Sequence, residues 1–376
     1  MPNDNLRFPP RFIGYGAYNL CFDRDLGKTS PTGKDFFQTI HERWPAINLV
    51  RVICFRQATL EGLPPITYDA QGVPNGRTQP LFKKNKTINA KFLDNLLALV
   101  QRAKQFNFWV QVCFFHEHSV KSGSDPNYFE TPENCPKILN PRDPSMGANN
   151  CQRLTNFFNI TDTTRLSNQL NIVHLIAFKL RWETNVLWEI ANEVRIQGCS
   201  PAGNKTGNCK VLPWLNSVSD TILSAIFWDN EPDGTSTGTT NEAVTFTRQR
   251  PFNDCSEQPL RASFHDFHSL QWKASDDPLV YKPGIDNAKK RVLAYRNMPA
   301  DSPRVHLIIN DDGLNWEENT NADKRANAAR IKKWATYAFQ KGLDYASKQQ
   351  YPPAEPYDTF ALDALQQAHD STPIPQ

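Results

Sequence analysis

The apolar run 186–191 ends in the polar pair Asn192-Glu193, within the stretch Thr-Asn-Val-Leu-Trp-Glu-Ile-Ala-Asn-Glu-Val-Arg. A buried strand that delivers a carboxylate to its polar end can supply a general acid or base. The same pattern recurs along the chain. The run 305–309 leads into Asn310-Asp311-Asp312-Gly313, with Trp316 just beyond. The run 108–115 leads into His116-Glu117-His118, and 260–264 leads into His265-Asp266-Phe267-His268. Arg51 sits inside the apolar run 48–55. Burying an arginine is costly unless a carboxylate pairs with it, and its planar fork suits a carboxylate at the site mouth.

The elements that must position these residues alternate between strand-like and helix-like segments. Strands are expected at 11–20, 48–55, 108–115, 186–191, 243–247, 260–264, 305–309 and 343–346. Helices are expected at 34–43, 89–106, 163–182, 212–227, 285–295, 322–340 and 359–368. In the second of these, Phe92, Leu93, Leu96, Leu97, Val100 and Ala103 fall at helical spacing on one face. Such alternation builds βαβ units and a parallel sheet, whose doubly buried strands read as near-continuous apolar runs. Eight units with no linker or internal repeat predict a single α/β domain over 1–376, a (β/α)8 TIM barrel. Long loops on its C-terminal face would follow strands 2, 3, 4 and 5. In that architecture functional residues sit where the strands end.

Each polar tip then becomes part of one pocket wall. Strands 4 and 7 face each other across the barrel mouth, so Glu193 and Asp311 become opposed carboxylates, with Asp312 as the fallback for Asp311. Two opposed carboxylates are what cleavage of a glycosidic bond requires: one protonates the leaving oxygen, the other attacks the anomeric carbon or activates water. Alternation along a strand sends His116 and His118 to one side, where they could bind hydroxyls, as could His265. Sugar faces stack on aromatic rings, and Trp316, Trp272, Trp228 and Trp214 lie in or near the loops on that side.

With these residues in place, the chain resembles clan A of the glycoside hydrolases, the cellulase-like (β/α)8 superfamily, and family 5 in particular, over roughly residues 11 to 370. Arg51 matches the superfamily's strand 2 arginine, Asn192-Glu193 its Asn-Glu pair, His265 its strand 6 histidine, and Asp311-Asp312-Gly313 its strand 7 carboxylate and glycine. The resemblance implies Glu193 as acid/base, Asn192 on the sugar 2-hydroxyl and Asp311 as nucleophile or base, with no cofactor. Three positions depart from the pattern. Asp311 stands where the superfamily has Glu, and Phe267 where a Tyr hydrogen-bonds the nucleophile. At strand 8 Asp344-Tyr345 replaces a Trp.

Composition bounds the setting. Net charge is +3 from 42 basic and 39 acidic residues, well mixed, which points to neither nucleic-acid nor membrane partners. A monomer acting on an oligo- or polysaccharide is expected. Of the 8 cysteines, Cys54 and Cys113 lie within apolar runs and read as small buried hydrophobes. Cys135/Cys151 and Cys199/Cys209 each bracket a Pro/Gly/Asn-rich segment, the pattern of a loop-stapling disulfide, while Cys21 and Cys255 are left over. Three sequons begin at Asn85, Asn159 and Asn204. Loop disulfides and sequons together favour an oxidising, extracellular location. The polar start, Met1-Pro2-Asn3-Asp4-Asn5, then implies that a signal peptide has been removed.

Two other readings remain open at this stage. One is a barrel that binds sugar without cleaving it, motivated by Asp311 and Phe267. The other is a metal-dependent hydrolase, for which His116, His118, His265, His268, Asp311 and Asp312 offer ligands.

Overall fold

The computed structural model describes residues 9–28, 33–55, 63–83, 87–116, 157–192, 212–226, 244–248, 264–268, 308–311, 321–347 and 359–374. Eight strands run through them: β1 (Ile13–Gly16), β2 (Leu49–Phe55), β3 (Trp109–His116), β4 (Val186–Asn192), β5 (Val244–Arg248), β6 (Phe264–His268), β7 (Ile308–Asp311) and β8 (Asp344–Ser347). Each pairs in parallel with the next, and β1 pairs with both β2 and β8, so the sheet closes on itself. Six α-helices are described: α1 (Phe36–Arg43), α2 (Ala90–Gln105), α3 (Thr163–Lys179), α4 (Leu212–Ile226), α5 (Asn321–Gln340) and α6 (Thr359–Asp370). They follow β1, β2, β3, β4, β7 and β8 in turn. The helix expected at 285–295 and the loops after β5 and β6 lie outside the described residues.

Local sequence explains the element ends. The Asn89 side chain accepts from the Lys91 amide at 3.2 Å and caps α2. Phe92, Leu96, Val100 and Ala103 are buried along α2 as expected; Leu99 is buried too, whereas Leu93 and Leu97 are only partly so. Asp35 caps α1 through the Gln38 amide, and Asp162 caps α3 through the Arg165 amide.

Strand 1 is shorter than expected. Only Ile13–Gly16 is extended, and Leu20–Phe22 forms a 3-10 turn. Strands 6 and 7 run further towards the C-terminus than expected, and 260–263 and 305–307 lie outside the described residues. β6 is built from Phe-His-Asp-Phe-His itself, and β7 ends on Asn310-Asp311. The expectation followed the apolar stretches, but ladder pairing is a backbone property that tolerates polar side chains. Phe264 pairs with Thr245 and His268 with Asn310, which fixes the register.

The main core lies between sheet and helices. Tyr15 packs on Phe36 of α1, and Trp188 stacks on Phe114 with ring centroids 5.9 Å apart. The opposite strand faces turn into the closed sheet. There a Cβ on Gly14 would meet the Ala346 Cβ at 2.6 Å and Leu49 Cδ2 at 3.1 Å, so only glycine fits. Polar side chains tie down the strand starts. Asp344 Oδ1 accepts from the Phe12 amide at 2.7 Å, and Asn48 accepts from the Ile13 amide at 2.9 Å. No helix among the described residues is long and apolar enough to cross a membrane.

Candidate active site

Within the closed sheet, β2, β3 and β4 place a charged cluster. Arg51 of β2 is 1% exposed and Glu189 of β4 is fully buried. They form a two-pronged ion pair across β3: Arg51 Nε donates to Glu189 Oε2 at 2.7 Å, and Nη2 donates to Oε1. Gln111 of β3 adds a third donor to Oε2 at 2.9 Å. Arg51 Nη1 also donates to the Tyr18 hydroxyl at 3.3 Å. Tyr18, Ile53 and Cys113 pack together here as a small apolar cluster separate from the main core.

Electrostatics in this cluster follow from burial and pairing. Burial works against the Arg51 charge, but Glu189, Tyr18 and Cys113 together overcome it and hold the guanidinium well above its ordinary value. Burial pushes the Cys113 thiol up, and the nearby Glu189 carboxylate pushes it further. Cys113 is therefore an inert thiol. Cys54 is held up first by its hydrogen bond with Cys21 and then by burial. Cys21, Cys54 and Cys113 are all free and buried, as the apolar runs around the latter two imply. Cys135, Cys151, Cys199, Cys209 and Cys255 lie outside the described residues.

Among the described residues, the carboxylate that pairs with Arg51 is Glu189, inside the closed sheet and not at its mouth. Glu189 lies three residues before the last residue of β4, and Arg51 four before the last of β2. Arg51 therefore sits beneath the strand ends instead of among them, as support for a site above. Glu189 did not stand out in the sequence because Val186 to Ala191 reads as one apolar run. The signal was present: a charged residue inside a buried strand needs a partner, and Arg51 had the same need.

At the strand ends, β3 and β4 pair His116 with Asn192 in register, so these two positions are neighbours on one rim. Asp311 ends β7 opposite Ser347 of β8. His265 lies one residue into β6, in register with Phe246. The strand ends thus bring the His116, Asn192 and Asp311 positions to one end of the ring. Glu193, His118, Asp312 and Trp316 lie outside the described residues, as do Trp228 and Trp272. Trp214 is no sugar platform: it is fully buried, packs on Phe115, Phe157 and Phe158, and donates its indole N–H to Gln169 at 2.8 Å. Among the described residues, no three His, Cys, Asp or Glu side chains converge as metal ligands would.

Solved structures share this architecture. The endo-beta-1,4-mannanase from Thermotoga petrophila superposes with a TM-score of 0.57 at 11% identity, covering 97% of this chain and 77% of that one. The endo-1,4-beta-mannanase from Rhizomucor miehei gives 0.55 at 14% identity, covering 95% and 94%. The fold is that of the mannanase barrels. Endo-glycoceramidase II from Rhodococcus sp. gives 0.52 at 12% identity, covering 95% and 78%. No family model matches the sequence, and no curated protein matches it. At these identities the likeness concerns the fold. It places the paired C-terminal ends of β3, β4 and β7 at the face where parallel barrels carry their sites.

Proposed function

We propose that this chain is a secreted glycoside hydrolase, a complete (β/α)8 barrel that cleaves a β-linked oligo- or polysaccharide. The observation that carries the reading is Asn192 at the C-terminal end of β4, with Glu193 next in sequence, in a fold shared with two β-1,4-mannanases. Glu193 protonates the leaving oxygen. Asp311, from the end of β7, attacks the anomeric carbon or activates the water that does. Asn192 holds a sugar hydroxyl beside the bond. His116, His118, His265 and Asp312 bind further hydroxyls, and Trp316 stacks on a sugar face. Arg51 supports these groups from below. No cofactor takes part.

Extracellular location is supported by the pairs Cys135/Cys151 and Cys199/Cys209, proposed as disulfides, and by the sequons. One sequon has suitable local geometry. Asn159 is exposed, and its side-chain oxygen accepts from the Thr161 hydroxyl at 2.8 Å and amide at 3.0 Å. The Asn159 amide nitrogen is then the atom left for a glycan. The protein is proposed to act as a monomer.

The test is hydrolysis of β-1,4-linked manno- and cello-oligosaccharides by Glu193→Gln. Loss of a general acid should lower kcat by about 100-fold or more while binding stays measurable. Wild-type turnover in that variant would refute the assignment. The sugar-binding, non-catalytic reading is favoured by Asp311 and Phe267 at positions where the resembled superfamily has Glu and Tyr. Affinity for oligosaccharide without release of reducing ends by the wild type would select it.

A further inference from the structure

Glu189 has no part in the reaction as proposed, yet among the described residues it is a carboxylate inside the closed sheet that accepts three hydrogen bonds. We propose that Glu189 is a positioning residue for the reaction: it holds Arg51 by its fork and cancels its charge, and so sets the pH window in which the carboxylates at the strand ends work. This inference rests on the hydrolase reading given above.

The geometry supports both roles. Three N–H groups converge on one fully buried carboxylate, two from Arg51 and one from Gln111. Such a bidentate, charge-assisted pair fixes the orientation of the guanidinium as well as its charge. The described side chains facing the pair are few. Tyr18 comes from the segment after β1, and Gln111 and Cys113 from β3, where burial holds the Cys113 thiol up. On β5 the residue in register with Glu189 is Thr245, which does not titrate. Among the described side chains Glu189 carries the negative charge that faces Arg51, and removing it changes the field inside the closed sheet.

The end of β4 is close enough to feel that change. Asn192 lies three residues beyond Glu189, about 10 Å along a strand. A unit charge at that distance in a partly buried setting shifts a carboxylate by about one pH unit. In Glu189→Gln the amide keeps the shape but removes one negative charge from the interior. Loss of a nearby negative charge favours ionised carboxylates, so both limbs of the kcat/KM profile should move to lower pH. Glu189→Asp keeps the charge and shortens the reach. Its limbs should stay at the wild-type pH while kcat falls about tenfold, because the fork is no longer seated.

The experiment is the pH dependence of kcat/KM on mannohexaose and cellohexaose for the wild type and both variants, with thermal unfolding as a folding control. Limbs shifted down by about one unit in Glu189→Gln and unmoved in Glu189→Asp support the proposal. A Glu189→Gln enzyme that loses activity with unshifted limbs shows a merely structural role and overturns it, leaving the hydrolase reading intact. A wild-type protein that hydrolyses neither substrate overturns the hydrolase reading and this inference with it. If Glu189→Gln does not fold, Glu189→Asp decides: a fall in kcat with KM and melting temperature unchanged supports positioning, and an unchanged kcat, or a fall that tracks a lower melting temperature, refutes it.

Discussion

Replacing Arg51 by Met and Glu189 by Leu, singly and together, should expose the energetics of the interior ion pair. Both side chains are buried, at 1% and 0% exposure. Arg51→Met leaves Glu189 with Gln111 as its remaining described donor. Glu189→Leu removes the carboxylate that accepts from Arg51 Nε and Nη2, and the other described acceptor, the Tyr18 hydroxyl at 3.3 Å, carries no counter-charge. Breaking a buried pair from one side costs about 3–5 kcal/mol. The two single costs therefore sum to roughly 8 kcal/mol by the same measure.

The double variant buries two apolar side chains of similar volume and no unpaired charge. It still strips the Gln111 side-chain amide of its bond to Glu189 and Tyr18 of its bond to Arg51. Lost neutral hydrogen bonds of this kind cost about 1–3 kcal/mol. The double variant should thus be destabilised by only about 2 kcal/mol, a coupling near 6 kcal/mol between the two positions. An unfolding entropy of about 2.1 cal/mol/K per residue gives roughly 0.8 kcal/mol/K for a chain of 376 residues. Each single variant should then melt about 4–6 °C lower, and the double only about 2–3 °C lower. Scanning calorimetry of the four proteins at one pH and salt concentration measures this. Additive losses in the double variant, with no coupling, would refute the claim that the pair acts as one unit.

Gly14→Ala places a Cβ 2.6 Å from the Ala346 Cβ, so it should destabilise by about 1–3 kcal/mol in urea unfolding. Adding Ala346→Gly should recover most of that, and a Gly14→Ala protein as stable as the wild type would show that the strands have room there. His369 on α6 is held below its ordinary value by burial first and by Arg11 second. The unfolded chain therefore takes up the proton at higher pH than the folded one. The stability this group contributes is full above about pH 6.5 and is lost as pH falls towards the folded value. His369→Gln should narrow the drop in Tm between pH 7.5 and pH 5, and an unchanged drop would assign the acid sensitivity elsewhere.

The helices were legible because their signals are local. Asn89 ahead of the apolar stripe of α2 and Asp162 ahead of α3 mark N-termini that the structure keeps. The strands were legible where both faces are apolar, as in β2, which is buried along its whole length. Reading failed at β6 and β7 for a physical reason. A strand near a polar site carries polar residues within its length, so the end of the apolar run is not the end of the strand. The same cause hid Glu189. One carboxylate among Val186, Leu187, Trp188, Ile190 and Ala191 does not break a run that is otherwise apolar, although its cost of burial makes it the least accidental residue there.

That cost also bears on how the barrel assigns work to its layers. At the floor, Gly14, Leu49 and Ala346 meet so closely that no side chain can be added. One step up, the interior is charged, with Arg51, Glu189 and Gln111 bonded to one another. At the strand ends His116 pairs in register with Asn192, and β7 finishes on Asp311. A hydrophobic middle layer would have cost less, since a buried ion pair rarely stabilises more than well-packed apolar residues of the same size. The charged layer is therefore poorly explained by stability alone. A fixed, neutralised guanidinium directly beneath a ring of polar strand ends makes sense if those ends need a set orientation and a set field, which is the requirement of acid–base chemistry.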